Sequence, residues 1–193
     1  MTARGTATRA RLIAATTEVV GRVGYARATT RAIAEAAGVA EGTIYRHFPD
    51  KQQLFLAAVL DRNAAVVEWV ADLPDLAGRG TVRENLAEAL RRLGRLRADL
   101  LPLEIALRAD PELARGYGAV PVPDGPPRLL AEYLAAEQRL GRVRAGVDPG
   151  AASLVLLATL FGLAMAPLGS TEEIPAAAVD AAVDLLVEGL RPS

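Results

Sequence analysis

Apolar positions recur along the chain at three- and four-residue spacing and almost never alternate as in a strand. Leu12, Ala15 and Val19, with Ile13 and Val20 beside them, predict a helix over about Thr8–Val23, stopped by a left-handed Gly24. A short second helix is expected after Thr29, which can cap it, ending before Gly38. A third is expected over about Glu41–Phe48, broken by Pro49-Asp50, and a fourth from near Lys51 to about Asp72. After the loop LPDLAGRGT, Thr81 and Glu84 have the spacing of a capping box and open a helix to about Ala98. DLLPLEIALRA predicts another helix, and the Pro- and Gly-rich DPELARGYGAVPVPDGPP predicts a surface loop. Helices resume at about Pro127–Leu140, at Asp148–Met165 with Asp148 as cap and Pro149 in the first position, and at about Pro175–Leu190. The pattern predicts an all-α chain of about nine helices, three short ones followed by six that are longer and more apolar.

Composition narrows this picture. Half of the 193 residues are hydrophobic, enough for a core without covalent staples. There is no cysteine, so disulfides, thiolate metal sites and cysteine nucleophiles are excluded, which fits a reducing cytosol. The opening MTARGTATRARL lacks the apolar stretch of a secretory signal. The most apolar run, Leu154–Leu168, falls short of the roughly 20 residues that span a membrane. A cytoplasmic protein without a membrane partner is expected. Charge is unevenly spread. Residues 1–51 carry eight Lys and Arg against four acids, net +4, and the rest carry 14 Arg against 19 acids, net −5. A basic head on an acidic body points to a polyanionic partner for the head. The single histidine and the serines Ser153, Ser170 and Ser193 form no nucleophile elbow or metal-ligand spacing, and no paired carboxylates stand with them. Neither catalysis nor a cofactor or metal is expected.

The stretch TTRAIAEAAGVAEGTIYRHFPDK, Thr29–Lys51, holds that histidine and the only lysine. Ile33 and Ala37 share one helical face, Gly38 permits a tight turn, and Ile44 and Phe48 face inward from the next helix. Two short helices joined by a glycine-containing turn make a helix-turn-helix. With Ile44 in the core, Gly42, Thr43, Tyr45, Arg46 and His47 lie outside it, a face built to donate hydrogen bonds to base edges and phosphates.

The run from Gly24 through Leu54 resembles the TetR (tetracycline-repressor) family of bacterial transcription regulators. The resemblance rests on Gly24-Tyr25, Thr29-Thr30, Ile33-Ala34, Ala37-Gly38-Val39, Gly42-Thr43-Ile44-Tyr45, His47-Phe48, Lys51 and Leu54. It implies a helix-turn-helix DNA-binding domain over residues 1–51 and a helical effector-binding and dimerisation domain over 52–193. It also implies a role for each matching residue. Thr30 and Thr43 would hold phosphates, and Arg31 would reach a base edge or phosphate. Glu41, Gly42 and Tyr45 would lie in the major groove. Arg46 and His47 would contact backbone or adjacent bases, and Lys51 would pin a phosphate. Ala40 departs from the Ser or Thr common in the family, leaving the third helix without a side-chain cap, a loss of about 1 kcal/mol. Glu41 is an acid facing a polyanion. It either accepts from a cytosine amino group or simply favours the helix N-terminus.

For the body, the resemblance implies a homodimer through the last two helices, with Leu154, Leu157, Ala158, Phe161, Val179, Val183 and Leu186 at the interface. It implies a pocket for a small-molecule effector, with Trp69, Leu93, Leu100, Glu104, Leu107, Tyr133, Phe161 and Met165 as candidate liners. The scarcity of polar residues among them suggests a largely apolar effector. The expected function is a dimeric repressor of a near-palindromic double-stranded DNA operator, released by that effector. The alternatives keep the head but make the body only a dimerisation device or a docking site for another protein, or make the protein an activator.

Overall fold

The computed structural model describes residues 3–119, 125–165 and 176–191. Among them the chain forms nine α-helices and no strand: α1 (Ala3–Val23), α2 (Thr30–Ala36), α3 (Ile44–His47), α4 (Lys51–Val70), α5 (Val82–Ala109), α6 (Pro111–Gly118), α7 (Pro126–Arg139), α8 (Pro149–Met165) and α9 (Ala176–Leu190). Short 3-10 turns stand at Glu41–Thr43 and Leu73–Leu76. No helix among the described residues is long and apolar enough to cross a membrane.

Two compact units are present, residues 1–64 with 99–122, and residues 65–98 with 123–193. The first unit has one hydrophobic core. It joins Leu12, Val19 and Val20 of α1, Ile33 of α2, Ile44 and Phe48 around α3, Leu54, Phe55 and Val59 of α4, Leu103 of α5 and Leu113 of α6. Burying each large apolar side chain contributes about 1.5–3 kcal/mol. That sum, not helix propensity, holds helices as short as α2 and α3 in place. Gly24 (φ 76°) ends α1, and Gly38 (φ 64°) turns the chain between α2 and α3. The Thr29 hydroxyl accepts from Ala32 N at 3.1 Å and caps α2. The Arg11 guanidinium reaches from α1 to the carbonyls of Ala37 and Gly38, the latter at 3.1 Å, and fixes that turn. No spacing rule singles out Arg11.

Two expectations need correction. The break expected near Ala98 is absent, because α5 runs unbroken for 28 residues through Pro102. A proline inside a helix removes one hydrogen bond and costs about 3 kcal/mol. Here Leu100 and Leu103, on either side of Pro102, are both buried, which offsets that cost. The segment expected as a loop from Asp110 begins instead with α6. Asp110 caps it, accepting from Glu112 N at 2.9 Å and Leu113 N at 3.3 Å, with Pro111 in the first turn. That is the residue order of a helix start, masked in the sequence by the Gly and Pro that follow. Gly116 lets α6 lie against α4: a Cβ there would stand 2.9 Å from Leu56 Cδ1 and 3.0 Å from Gln52 Nε2.

The second unit buries Leu86, Leu90 and Leu93 of α5, Leu130, Tyr133 and Leu134 of α7, Leu156 and Leu160 of α8, and Val179, Val183 and Leu190 of α9. The expected capping box forms: Glu84 N donates to the Thr81 hydroxyl at 3.1 Å, and Glu84 Oε2 accepts from Thr81 N at 3.2 Å. Asp148 caps α8 through Ala151 N at 2.6 Å. Arg83 and Arg91 of α5 pair with Asp184 and Asp180 of α9.

Candidate nucleic-acid interface

Ile44 (0 % exposed) and Phe48 (4 %) anchor the third helical segment in the core. That anchoring turns its other face outward. Glu41, Gly42, Tyr45 and Arg46 are exposed, while Thr43 and His47 are half-buried. Tyr45 stands 56 % exposed, a large ring left more than half open to solvent. Arg31 is also exposed on α2, and Thr30 is half-buried beside it. The Thr30 hydroxyl donates to Glu41 Oε1 at 2.6 Å, joining the start of α2 to the turn that opens α3. Arg46 donates to the Thr43 hydroxyl at 3.1 Å. Ala40, at the N-cap, makes no side-chain bond, as its residue type dictates.

Among the described residues neither backbone conformation nor space requires a glycine at position 42. Its φ is not positive, and an added Cβ would meet nothing within 4 Å. Glycine in a helical turn costs up to about 1 kcal/mol relative to alanine. Close approach of another molecule to the backbone would be one reason for a glycine here.

Lys51 is turned inward. Its ammonium donates to Tyr25 O at 3.1 Å and Ala28 O at 3.0 Å, and sits 4.1 Å from the centroid of the Tyr25 ring. Tyr25 in turn lies against Phe55, with ring centroids 4.6 Å apart. Burial lowers the Lys51 pKa, opposed in part by the charge of Asp110. Burial also raises the Tyr25 pKa, with Asp110, Asp50 and Glu112 adding to the shift. Two of the three ammonium donors are thus committed within the chain, to the carbonyls that lead into α2.

The first unit also holds a cleft of about 370 Å³ lined by Val59 and Asn63 of α4, Glu104, Leu107 and Arg108 of α5, and Ala114 and Tyr117 of α6. Asn63 Nδ2 donates to the Tyr117 hydroxyl at 2.7 Å. Burial raises the Tyr117 pKa; the Asn63 bond opposes this, and Glu104 adds to it. Of the expected liners, Glu104 and Leu107 belong to this cleft, and Leu100 is buried in the same unit. Leu93 and Tyr133 are buried in the second unit, and Phe161 is half-buried there. The side chains of Trp69 and Met165 lie outside the described residues. The cleft is more polar than its expected liners suggested. Asn63, Arg108 and Tyr117 supply the difference: Arg108 stands four residues after Glu104 in the sequence, Asn63 has no signal beyond helical spacing, and Tyr117 lies in the segment expected as a loop.

Residues 12–58 match the family model for bacterial regulatory proteins of the tetR family. Over 173 residues the chain is 30 % identical to the HTH-type transcriptional repressor Rv1474c of Mycobacterium tuberculosis, covering 88 % of this chain and 86 % of that one. The chain belongs to the TetR family. The HTH-type transcriptional repressor KstR of Mycolicibacterium smegmatis is 38 % identical over 87 residues, 45 % of this chain and 42 % of KstR, so the chain spans about two fifths of that relative. The crystal structure of Bacillus subtilis FadR in complex with stearoyl-CoA superposes with a TM-score of 0.76 at 23 % identity, covering 94 % of this chain and 98 % of that one. That last likeness is one of fold.

In this TetR-family chain the last two helices divide the expected interface residues. Leu154 is 61 % exposed, Ala158 is exposed, and Leu157, Phe161 and Leu186 are half-buried. Val179 (3 %) and Val183 (0 %) are buried within the chain's own core. The exposed face of α9 carries Ala177, Ala181 and Leu185 instead, with Leu185 at 80 % exposure. Both helices are apolar on two sides, so periodicity alone does not tell the inner side from the outer.

Proposed function

We propose that this TetR-family protein is a homodimeric repressor. It reads a near-palindromic operator in the major groove through the face of Thr30, Arg31, Glu41, Gly42, Thr43, Tyr45, Arg46 and His47. A small effector in the α4–α5–α6 cleft releases it. The observation that carries the reading is the outward side of the third helical segment, where Gly42 has open space around it and Tyr45 stands 56 % exposed. One such head is a weak binder, since non-specific affinity reaches only ~10⁻⁴–10⁻⁶ M. A two-fold dimer sets two heads on successive grooves, ~34–36 Å apart. The exposed Leu154, Val155 and Leu185 supply an apolar face for the second copy.

In a gel-shift assay on promoter DNA beside its own gene, the full chain should bind with two copies per duplex. Tyr45→Ala should weaken binding about tenfold or more, as loss of a contact of 1–3 kcal/mol per head does. Unchanged binding by that variant counts against the reading.

The effector reading rests on the cleft. At ~30 Å³ per heavy atom, 370 Å³ holds about a dozen such atoms. Val59, Leu107 and Ala114 suit an apolar body, while Arg108, Asn63 and Tyr117 suit an anionic or polar head. The same fold holds an acyl thioester in FadR. Val59 and Asn63 sit on α4, whose first residue is Lys51 beneath the reading head. A shift of α4 that couples by ~1–3 kcal/mol lowers DNA affinity 5–150-fold. Decanoate, with about a dozen heavy atoms, should raise the melting temperature at millimolar concentration: a ligand at 100 times its Kd adds ~2.7 kcal/mol. Leu107→Trp, which fills the cleft, should abolish the rise. A rise that survives Leu107→Trp places the ligand elsewhere. If no medium-chain acid or acyl-CoA produces a rise, the effector class is wrong.

A further inference from the structure

Thr30 and Glu41 both stand on the DNA-facing surface, yet they bond to each other at 2.6 Å. A threonine hydroxyl has one proton to donate. While that proton lies on Glu41, Thr30 cannot give it to a phosphate. Glu41 has only acceptors and repels phosphate outright, and among the described residues no cation forms an ion pair with it. A carboxylate so placed weakens DNA binding unless it finds a donor. In the major groove, cytosine presents only a donor, its N4 amino group. Adenine sets the N7 acceptor beside its donor, and guanine and thymine offer acceptors.

We propose that Thr30 and Glu41 form a specificity latch that couples backbone contact to base readout. The latch rests on the DNA-binding reading above. In the free protein Thr30 holds Glu41. On an operator with cytosine opposite Glu41, the carboxylate turns to the N4 amino group. The freed Thr30 hydroxyl then donates to a phosphate oxygen, so the two contacts form together. On other sequences Glu41 stays on Thr30, both contacts are missing, and the negative charge remains against the backbone. Discrimination is thereby sharper than a single base contact provides.

The test is selection from a random-sequence duplex pool by the full-length wild type, Glu41→Ala, Thr30→Val and Thr30→Ser, followed by titration of the selected duplex and of random duplex. Wild type should enrich a cytosine at one position of each half-site, preferred about 5–150-fold over the other bases. Glu41→Ala should lose that preference and bind random duplex more tightly. Thr30→Val should still select cytosine but with a several-fold smaller preference and a correspondingly weaker hold on the selected duplex, and Thr30→Ser should restore both. Both side chains reach the surface, so melting temperatures close to wild type confirm that the variants are folded. Equal cytosine preference in wild type and Glu41→Ala overturns the latch, as does wild-type affinity in Thr30→Val. A wild type that enriches no sequence overturns the DNA-binding reading itself.

Discussion

Glu137→Ala should lower the stability of the second unit by about 3–5 kcal/mol, the usual effect of removing one partner from a buried ion pair. At roughly 2–4 °C per kcal/mol for a chain of this size, the melting temperature should fall by ~6–20 °C. Glu137 has no exposed surface. Its Oε1 accepts from Gly78 N at 3.1 Å, and its Oε2 lies 3.1 Å from Arg142 Nε, close enough for charge attraction but without hydrogen-bond geometry. Arg142 also donates to Gly80 O at 2.6 Å. Asn85 donates to the buried Tyr133 hydroxyl at 3.0 Å and to Arg79 O at 2.9 Å. Burial pushes the Tyr133 pKa well above the ordinary tyrosine range; the Asn85 bond opposes this and Glu137 adds to it. These groups pin the turn from Gly78 to Gly80, whose glycines have φ of 79° and 54°, against α7. Truncation leaves the Arg142 charge without its counter-ion and the Gly78 amide without its acceptor. Glu137→Gln keeps the Gly78 bond and should cost less, and a melt equal to wild type for Glu137→Ala would show the network to be idle.

Nothing in the sequence marks Glu137, and the reason is general. Helix positions follow from period, caps and glycine turns, all of which are local. Gly24, Gly38, Thr29, Thr81 and Asp148 do in the structure what their residue types predict. The family was legible for the same reason, since its motif occupies one unbroken run from Gly24 to Leu54. Partners across long separations are not written in any local pattern. Glu137 meets Gly78 59 residues away, and Asn63 meets Tyr117 across 54. Direction is lost where a helix is apolar on two sides, as Val183 and Leu185 illustrate, one fully buried and the other 80 % exposed. Pro102 and α6 depart from the local pattern for a different reason. Proline and glycine carry strong local penalties, and tertiary burial of Leu100, Leu103 and Leu113 outweighs them.

Lys51→Met should weaken DNA binding without changing its salt dependence. A lysine that pins a phosphate contributes about −0.9 to the slope of log K against log salt, or ~−1.8 for a dimer, and its loss flattens that slope. The geometry of Lys51 predicts otherwise. Two of its donors hold Tyr25 O and Ala28 O, and its charge lies over the Tyr25 ring. The two carbonyls precede Thr29 and α2, so on the proposed DNA-binding reading Lys51 would act by fixing where Thr30 and Arg31 stand. Hydrogen bonds to a charged group contribute about 1.5–3 kcal/mol each when buried, and partial exposure reduces this, so methionine should cost ~2 kcal/mol and lower the melting temperature by several degrees. Methionine keeps the side-chain length and apolar packing, so the loss reports the ammonium alone. Arginine at the same position keeps the charge but replaces the compact ammonium seated over the Tyr25 ring with a longer, planar guanidinium that does not fit the same seat. Lys51→Arg should therefore retain the salt slope and still lose affinity, whereas a phosphate-pinning residue would accept arginine with little change. A slope flattened by ~1.8 in Lys51→Met, with stability unchanged, would put the ammonium on the DNA backbone instead.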